Sequence, residues 1–196
     1  MIADSDGKVA VMAARSIAEA EIRNELNEPE MPETFRRSAG VFVTVLEYPS
    51  ERLRGCIGYP RPVFALADAL RMAARSVCHD PRFLPLTEKE VVQCIFEVTI
   101  LTTPEKIIFK DADELVSSVN IGEDGLIMSY EGCRGLFLPQ VPVEQGWDVF
   151  QYLSNLAQKA GLPPDAWKCK GAKFEKFKGE IFSEDSPGGK IRRKNI

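Results

Sequence analysis

The chain has 196 residues, 44% of them hydrophobic and 28% charged, and its formal net charge at pH 7 is −4. This length buries one good hydrophobic core or two modest ones, and the composition is ordinary for a globular protein. The charge argues against a surface that binds nucleic acid throughout, and no apolar run approaches the roughly 20 residues that a bilayer-spanning helix needs. The N-terminus does not resemble a signal peptide, and five widely spaced cysteines are typical of free thiols. We therefore expect a cytoplasmic protein without a membrane partner.

In the first half of the chain, apolar residues recur first at helical and then at strand spacing. The predicted elements are helices over residues 6–27 and 62–78, a short capped helix at 87–90, and strands over 41–48, at 54–56 and over 93–101. The first two strands are close enough in sequence to form an antiparallel hairpin.

The second half continues this mixture without a regular β-α-β alternation. Its predicted elements are helices over residues 112–118 and 145–160 and strands over 125–130, 136–138 and 177–183. Residues 185–196 are rich in Pro and Gly and then basic, which predicts a flexible tail after a domain that spans 1–184. The pattern favours the α+β class, with a mainly antiparallel sheet flanked by helices.

Residues 53–58, Leu-Arg-Gly-Cys-Ile-Gly, place a thiol two residues from a guanidinium. In an extended strand, alternation would put Arg54 and Cys56 on one face, and a nearby cation lowers the pKa of a thiol. His79, the only histidine, is a candidate base for this thiol. The alternative, which these residues alone favour, is a tight strand turn with a half-buried structural cysteine.

Three arginines, Arg54, Arg82 and Arg134, lie in irregular or Gly-flanked segments, where they could together bind a carboxylate or phosphate. They could equally pair with nearby carboxylates and hold loops together. A second basic zone, residues 168–178 and the tail, could contact RNA, although a solvated surface is the more common outcome.

Metal and phosphate-loop chemistry has little support in the sequence. No pair of cysteines has the spacing of zinc ligands, and the glycines fit no phosphate-binding loop, so we predict neither a metal nor a cofactor. Asp80, Glu97 and Glu144 remain available for a hard cation, but their spacing does not favour one.

Three sequence blocks, in this order, resemble the AMMECR family: residues 52–58, residues 79–85 (His-Asp-Pro-Arg-Phe-Leu-Pro) and residues 122–147 with Arg134-Gly135-Leu136-Phe137-Leu138-Pro139-Gln140-Val141. The resemblance runs from the first helix to about Trp167. It implies an α+β protein of two unequal subdomains with a cleft between them, in which residues 53–58 are the suspected functional element. It also implies an association with a Memo-like protein and a radical-SAM protein in a shared modification pathway, and nucleic-acid roles have been proposed for the family.

The leading hypothesis is an enzyme, or a component of one, that acts on an anionic substrate through Cys56. Arg54 would lower the pKa of the thiol, and Glu97 would orient an arginine or move a proton. The predicted substrate-binding residues are Asp80, Arg82, Arg134 and Gln140. Because an unpaired carboxylate in a half-buried sheet is costly, we expect Arg54 or Arg134 to pair with Glu97. The competing hypothesis is a non-catalytic RNA-binding or protein adaptor module.

Overall fold

The computed structural model describes residues 2–194 and divides them into two compact units. The first unit runs to Leu101 and resumes at Glu180, and the second comprises Thr102–Gly179. The helices are α1 (Asp4–Ile22), α2 (Leu66–Ser76), α3 (Glu88–Val91), α4 (Ala112–Ser117), α5 (Gln140–Glu144) and α6 (Val149–Lys159). The strands are β1 (Gly40–Glu47), β2 (Arg52–Tyr59), β3 (Cys94–Leu101), β4 (Glu105–Lys106), β5 (Gly125–Tyr130), β6 (Cys133–Phe137), β7 (Lys173–Phe177), β8 (Gly179–Glu184) and β9 (Ile191–Lys194).

Each unit contains one sheet, and the predicted α+β class is confirmed as two antiparallel sheets flanked by helices. The sheet of the first unit has the strand order β2-β1-β3-β8-β9, and that of the second has the order β4-β7-β5-β6. Within the described residues, no helix is long and apolar enough to cross a membrane.

The core of the first unit lies between α1, α2 and one face of its sheet. Alternation places every second side chain of β1 and β3 on this face, as predicted for β3. The buried sheet residues are Val41, Val43, Val45, Cys94, Phe96, Val98 and Ile100. The predicted hairpin of β1 and β2 is antiparallel, and the capping box of Thr87 and Glu90 begins α3. The opposite face of the sheet carries the polar residues Thr44 and Glu97.

The core of the second unit forms where α6 packs on its sheet, with Tyr152, Leu153 and Leu156 fully buried. The helix predicted over 145–160 begins only at Val149, because Gly146 adopts a positive φ of 64° after the end of α5 and Asp148 begins α6 with a capping box. Phe150, near the start of α6, is 54% exposed, although helical spacing in the sequence would place it on the inward side with Leu153 and Ala157.

The C-terminal segment differs most from the sequence prediction. The strand predicted over 177–183 is the end of β7 followed by β8, and the expected flexible tail contains β9, which pairs with β8. This strand is held because Ile191 is buried and the Arg193 guanidinium pairs with Glu180 at 2.6 Å and stacks 4.5 Å from the ring of Phe182. The last two residues of the predicted tail, 195 and 196, lie outside the described residues.

Candidate functional site

Cys56 is positioned by an irregularity in the β1–β2 hairpin. Val45 faces Gly55 but Leu46 faces Leu53, so Arg54 is an additional residue in β2, a β-bulge. A bulge breaks the side-chain alternation on which the prediction for Arg54 and Cys56 depended. The two side chains accordingly have different partners, and the expectation that Arg54 lowers the pKa of the Cys56 thiol is wrong.

Arg54 is a buried side chain that anchors the loop before α3. Its Nε donates to Glu90 at 3.0 Å, and its Nη2 donates to the carbonyl oxygens of Leu84 at 3.0 Å and Pro85 at 3.3 Å. Arg54 therefore fixes the end of the 80–85 loop rather than touching the thiol.

The beginning of the same loop covers the open edge of β2. Asp80 Oδ2 accepts the Cys56 backbone N–H at 2.8 Å, and Arg82 Nη2 donates to the Cys56 carbonyl oxygen at 3.0 Å. These two side chains satisfy the backbone groups that a further strand would otherwise pair. Asp80 and Arg82 therefore hold a loop in place, which is the structural alternative to anion binding.

Asp80 is almost fully buried and binds Arg82 through both carboxylate oxygens. Its Oδ1 accepts Arg82 Nε at 3.0 Å and its Oδ2 accepts Arg82 Nη2 at 2.6 Å. The hydrogen bonds from the Arg82 side chain hold the pKa of the Asp80 carboxyl well below its usual range. The Arg82 side chain is itself 55% exposed, and its Nη1 has no hydrogen-bond partner among the described residues. A fixed guanidinium with one uncommitted nitrogen can receive an anion.

The Cys56 side chain lies in a row of polar residues that crosses the sheet face opposite α1 and α2. Thr44 is the cross-strand neighbour of Cys56 on β2 and of Glu97 on β3. The Thr44 hydroxyl donates to Cys56 Sγ at 3.3 Å. Glu97 lies 3.4 Å from Lys194 Nζ on β9.

The half-buried Cys56 thiol has a raised pKa. Burial is the main cause, the Thr44 hydrogen bond and the charge of Arg82 oppose it, and the charges of Asp80 and Glu97 add to it. The thiol is therefore protonated at neutral pH, and a base is needed to make it a nucleophile.

The remaining predicted residues have other partners. Glu97 takes Lys194 as a cation, whereas Arg54 pairs with Glu90 and Arg134 with Glu175, so the predicted arginine partner of Glu97 is wrong. His79 Nε2 contacts Glu21 Oε1 on α1 at 3.2 Å, instead of the thiol.

Arg134 and Gln140 both belong to the second unit. Arg134 lies on β6 and Gln140 begins α5, where its side-chain oxygen is buried without a hydrogen-bond partner among the described residues. Among those residues, no three His, Cys, Asp or Glu side chains are grouped to hold a metal ion.

Sequence analysis missed two residues of the polar row. Thr44 was recognised only as part of a β-branched strand, although a polar residue between Val43 and Val45 is a detectable signal. Lys194 was assigned to the tail, and no local pattern indicates that it reaches Glu97.

Replacing Arg54 with methionine tests its assignment as a loop anchor. We expect the free energy of unfolding to fall by about 1–3 kcal/mol, because the charge-assisted hydrogen bonds to Glu90, Leu84 and Pro85 are lost. The pH dependence of Cys56 alkylation should stay unchanged. Arg52→Met is the matched control, since Arg52 is exposed and its pairing with Glu47 contributes about 1 kcal/mol or less. A shift in the alkylation profile for Arg54→Met alone would restore a direct role at the thiol.

Together, the fold and the site define an α+β protein of two sheet-based units with a half-buried thiol held among polar side chains. The sequence profile of the AMMECR1 family matches residues 10–182, and the chain belongs to this family. Protein MJ0810 of Methanocaldococcus jannaschii is 45% identical over 193 residues, which cover 97% of this chain and 96% of that protein. A protein of Aquifex aeolicus is 41% identical over 174 residues, covering 88% of this chain and 89% of that protein.

The fold also matches a solved structure. The crystal structure of the uncharacterized protein PH0010 from Pyrococcus horikoshii has a TM-score of 0.91 and 40% sequence identity, with 100% of this chain and 99% of that chain covered. The family resemblance of the three sequence blocks is thereby confirmed.

Proposed function

We propose that this protein is a cysteine-dependent enzyme, or a component of a modification enzyme, that acts on an anionic substrate at Cys56. The observation that carries the proposal is the fixed Arg82 guanidinium, which is bound to the Cys56 carbonyl oxygen and retains an uncommitted Nη1. An anionic substrate bound by Arg82 would have its electrophilic atom beside the Cys56 thiol, because Arg82 is bound to the backbone of that same residue.

The polar row supplies a route for the thiol proton. The Thr44 hydroxyl donates to Cys56 Sγ in the structure, and because a hydroxyl both donates and accepts, its rotation would let it accept the Cys56 proton and donate to Glu97. Directly opposite residues on neighbouring antiparallel strands have Cβ atoms about 4.5–5.5 Å apart, which is within reach of such a transfer. In this proposal Cys56 is the nucleophile, Glu97 accepts the thiol proton through Thr44 as the S–H bond breaks, and Arg82 binds the anion. Asp80 and Arg54 are positioning residues.

Alkylation by two reagents of different charge tests the anion preference. For each thiol, the rate of reaction with iodoacetate would be divided by the rate with neutral iodoacetamide. We expect this ratio to be higher for Cys56 than for the free thiol 2-mercaptoethanol. The preference should be about fivefold, the effect of one partly exposed ion pair of about 1 kcal/mol. Arg82→Gln should abolish the preference, and Arg52→Gln, which changes an exposed arginine on the same strand, should retain it. Equal ratios for Cys56 and the free thiol would contradict the proposed anion site.

The pH dependence of iodoacetamide labelling tests the polar row. Because burial raises the thiol pKa, the labelling rate should inflect above the usual thiol value of about 8.5. Thr44→Val should raise the inflection further by removing a hydrogen bond, whereas Glu97→Gln should lower it by removing a negative charge. Mass spectrometry resolves Cys56 from the other four cysteines. If neither variant moves the inflection, the row does not control the thiol.

A non-catalytic adaptor is the second candidate, favoured by the raised pKa of the half-buried Cys56 thiol and by the structural use of Asp80. An RNA-binding tail has less support, since Arg193 and Lys194 are paired with carboxylates. The adaptor would engage the proposed partners, a Memo-like protein and a radical-SAM protein. Co-elution with either purified protein, undiminished by Cys56→Ser, would favour the adaptor.

A further inference from the structure

We propose that the second unit binds a small phosphorylated ligand of mononucleotide size in a cavity of about 840 Å³. All residues that line the cavity belong to this unit, and most come from β4, the following loop, β7 and the segment that precedes it, with Ala112 of α4 and Ser129 of β5 completing the lining. Ligand cavities have volumes of about 300–1,000 Å³, so this one is large enough for a nucleotide. The proposal is independent of the role assigned to Cys56.

The cavity is lined by uncompensated positive charge. Its cationic side chains are Lys106, Lys110, Lys168, Lys170 and Lys173. Within residues 2–194, no ion pair involves any of these five lysines. The two lining carboxylates already have partners, since Asp111 accepts the backbone N–H of Glu114 at 2.9 Å and Glu175 pairs with Arg134 at 3.0 Å. An anionic ligand would therefore meet several lysines whose charges are not neutralised locally.

Within the described part of the second unit, the cations without a carboxylate partner line this cavity, apart from Lys159, and this grouping favours a compact ligand. The other cationic side chains of the second unit are already engaged. Lys176 pairs with Asp124 and Lys178 with Glu123, while Lys159 lies over the Phe137 ring. A long polyanion gains affinity from a continuous basic track, and each phosphate it contacts needs its own cation. Isolated lysines around one cavity suit a few phosphates better than a nucleic-acid strand.

The apolar residues of the lining would contact the part of the ligand that carries no phosphate. Trp167 and Phe174 are buried, and Phe109 meets Phe174 edge to face at 5.8 Å between ring centroids. Lys168 lies 4.9 Å from the centroid of the Trp167 ring. An apolar lining with a few convergent polar groups is typical of small-molecule sites. The combination suits a ligand with a flat apolar body and a phosphate group, the chemistry of a nucleoside phosphate.

Cys169, an exposed thiol on the cavity wall, provides a direct readout of occupancy. Alkylation of the full chain would be followed by mass spectrometry with ADP, adenosine, inorganic phosphate or single-stranded RNA of about 16 nucleotides as the probe. We expect ADP to slow the labelling of Cys169 without changing that of Cys133. Adenosine and inorganic phosphate should each protect only at much higher concentration, because adenosine lacks the phosphate group and inorganic phosphate lacks the flat apolar body.

Paired charge reversals separate the cavity from general charge effects. Lys170→Glu with Lys173→Glu should weaken ADP protection by about tenfold or more, the effect of losing one or two charge-assisted hydrogen bonds. Lys89→Glu, which changes an exposed lysine in the first unit, should leave protection unchanged, and circular dichroism melting would confirm that all variants fold. Absence of protection by ADP would overturn the proposal. It would also fail if RNA protected at lower concentration than ADP, or if Lys89→Glu weakened protection as much as the cavity variants.

Discussion

Replacing Asp80 with asparagine is expected to lower the free energy of unfolding by about 2–3 kcal/mol, because charge-assisted hydrogen bonds to a buried carboxylate are lost. Asp80 accepts hydrogen bonds from Cys56 N, Arg82 N, Arg82 Nε and Arg82 Nη2 at 2.6–3.1 Å. An asparagine amide would turn an NH₂ group toward these donors, leaving at least one of them unsatisfied. Urea denaturation at pH 7 would measure the loss.

The pH dependence of this effect follows from the lowered pKa of Asp80. A carboxyl whose pKa is lower in the folded state contributes stability above its unfolded value of about 3.9, and the contribution is lost as the pH falls toward the folded value. The stability difference between the wild type and Asp80→Asn should therefore be constant from pH 7 to 5 and shrink below about pH 4. Asp68→Asn is the control, because Asp68 forms only an exposed pair with Arg71. A comparable loss in that control would show that the effect is not specific to the buried carboxylate.

Replacing Glu184 with glutamine is expected to have a similar effect, a loss of about 3 kcal/mol. Glu184 is 4% exposed and binds Arg15 through two bonds of 2.6 and 2.5 Å. It also accepts the backbone N–H of Phe96 at 2.9 Å, so one carboxylate connects β8, α1 and β3. Glutamine keeps only one acceptor oxygen, and its NH₂ group would face an Arg15 or Phe96 donor. The midpoint of thermal unfolding should fall accordingly.

Glu19→Gln provides the matched control for this prediction. Glu19 binds the same Arg15 guanidinium at 3.0 Å, but it lies on the outside of α1 and is 31% exposed. An i,i+4 pair of this kind contributes about 0.3–0.5 kcal/mol. Equal losses for the two variants would mean that the charge of Arg15, rather than its buried link to β8, controls stability.

Much of the secondary structure was predictable because it depends on local patterns. β-Branched residues identify β1, alternating apolar residues identify β3, and the Thr87 and Glu90 side chains begin α3. These signals depend on a few neighbouring residues, so they do not change with the way the rest of the chain folds. The division of the chain at Leu101 and its return at Glu180 has no such signal, since it depends on which strands pair.

The candidate site shows the same contrast within six residues. The sequence analysis assigned Cys56, Asp80 and Arg82 to one candidate site, and in the structure Asp80 and Arg82 both bind the Cys56 backbone. The sequence wrongly placed Arg54 beside the thiol. Strand alternation holds only while the register is regular, and the bulge at Arg54 is defined by the partner strand β1 rather than by β2 itself.

The sequence by itself thus determined the α+β class, the family and the hairpin that carries Cys56, since these follow from periodicity and motif. Only the tertiary structure decided the partner of each charge. Glu97 meets Lys194 and Glu184 meets Arg15 across strands and helices far apart in the chain. It also decided that Ile191–Lys194 forms a strand, since β9 exists through its pairing with β8 and the burial of Ile191. Contacts between distant segments are set by how the elements pack, and no local pattern records them.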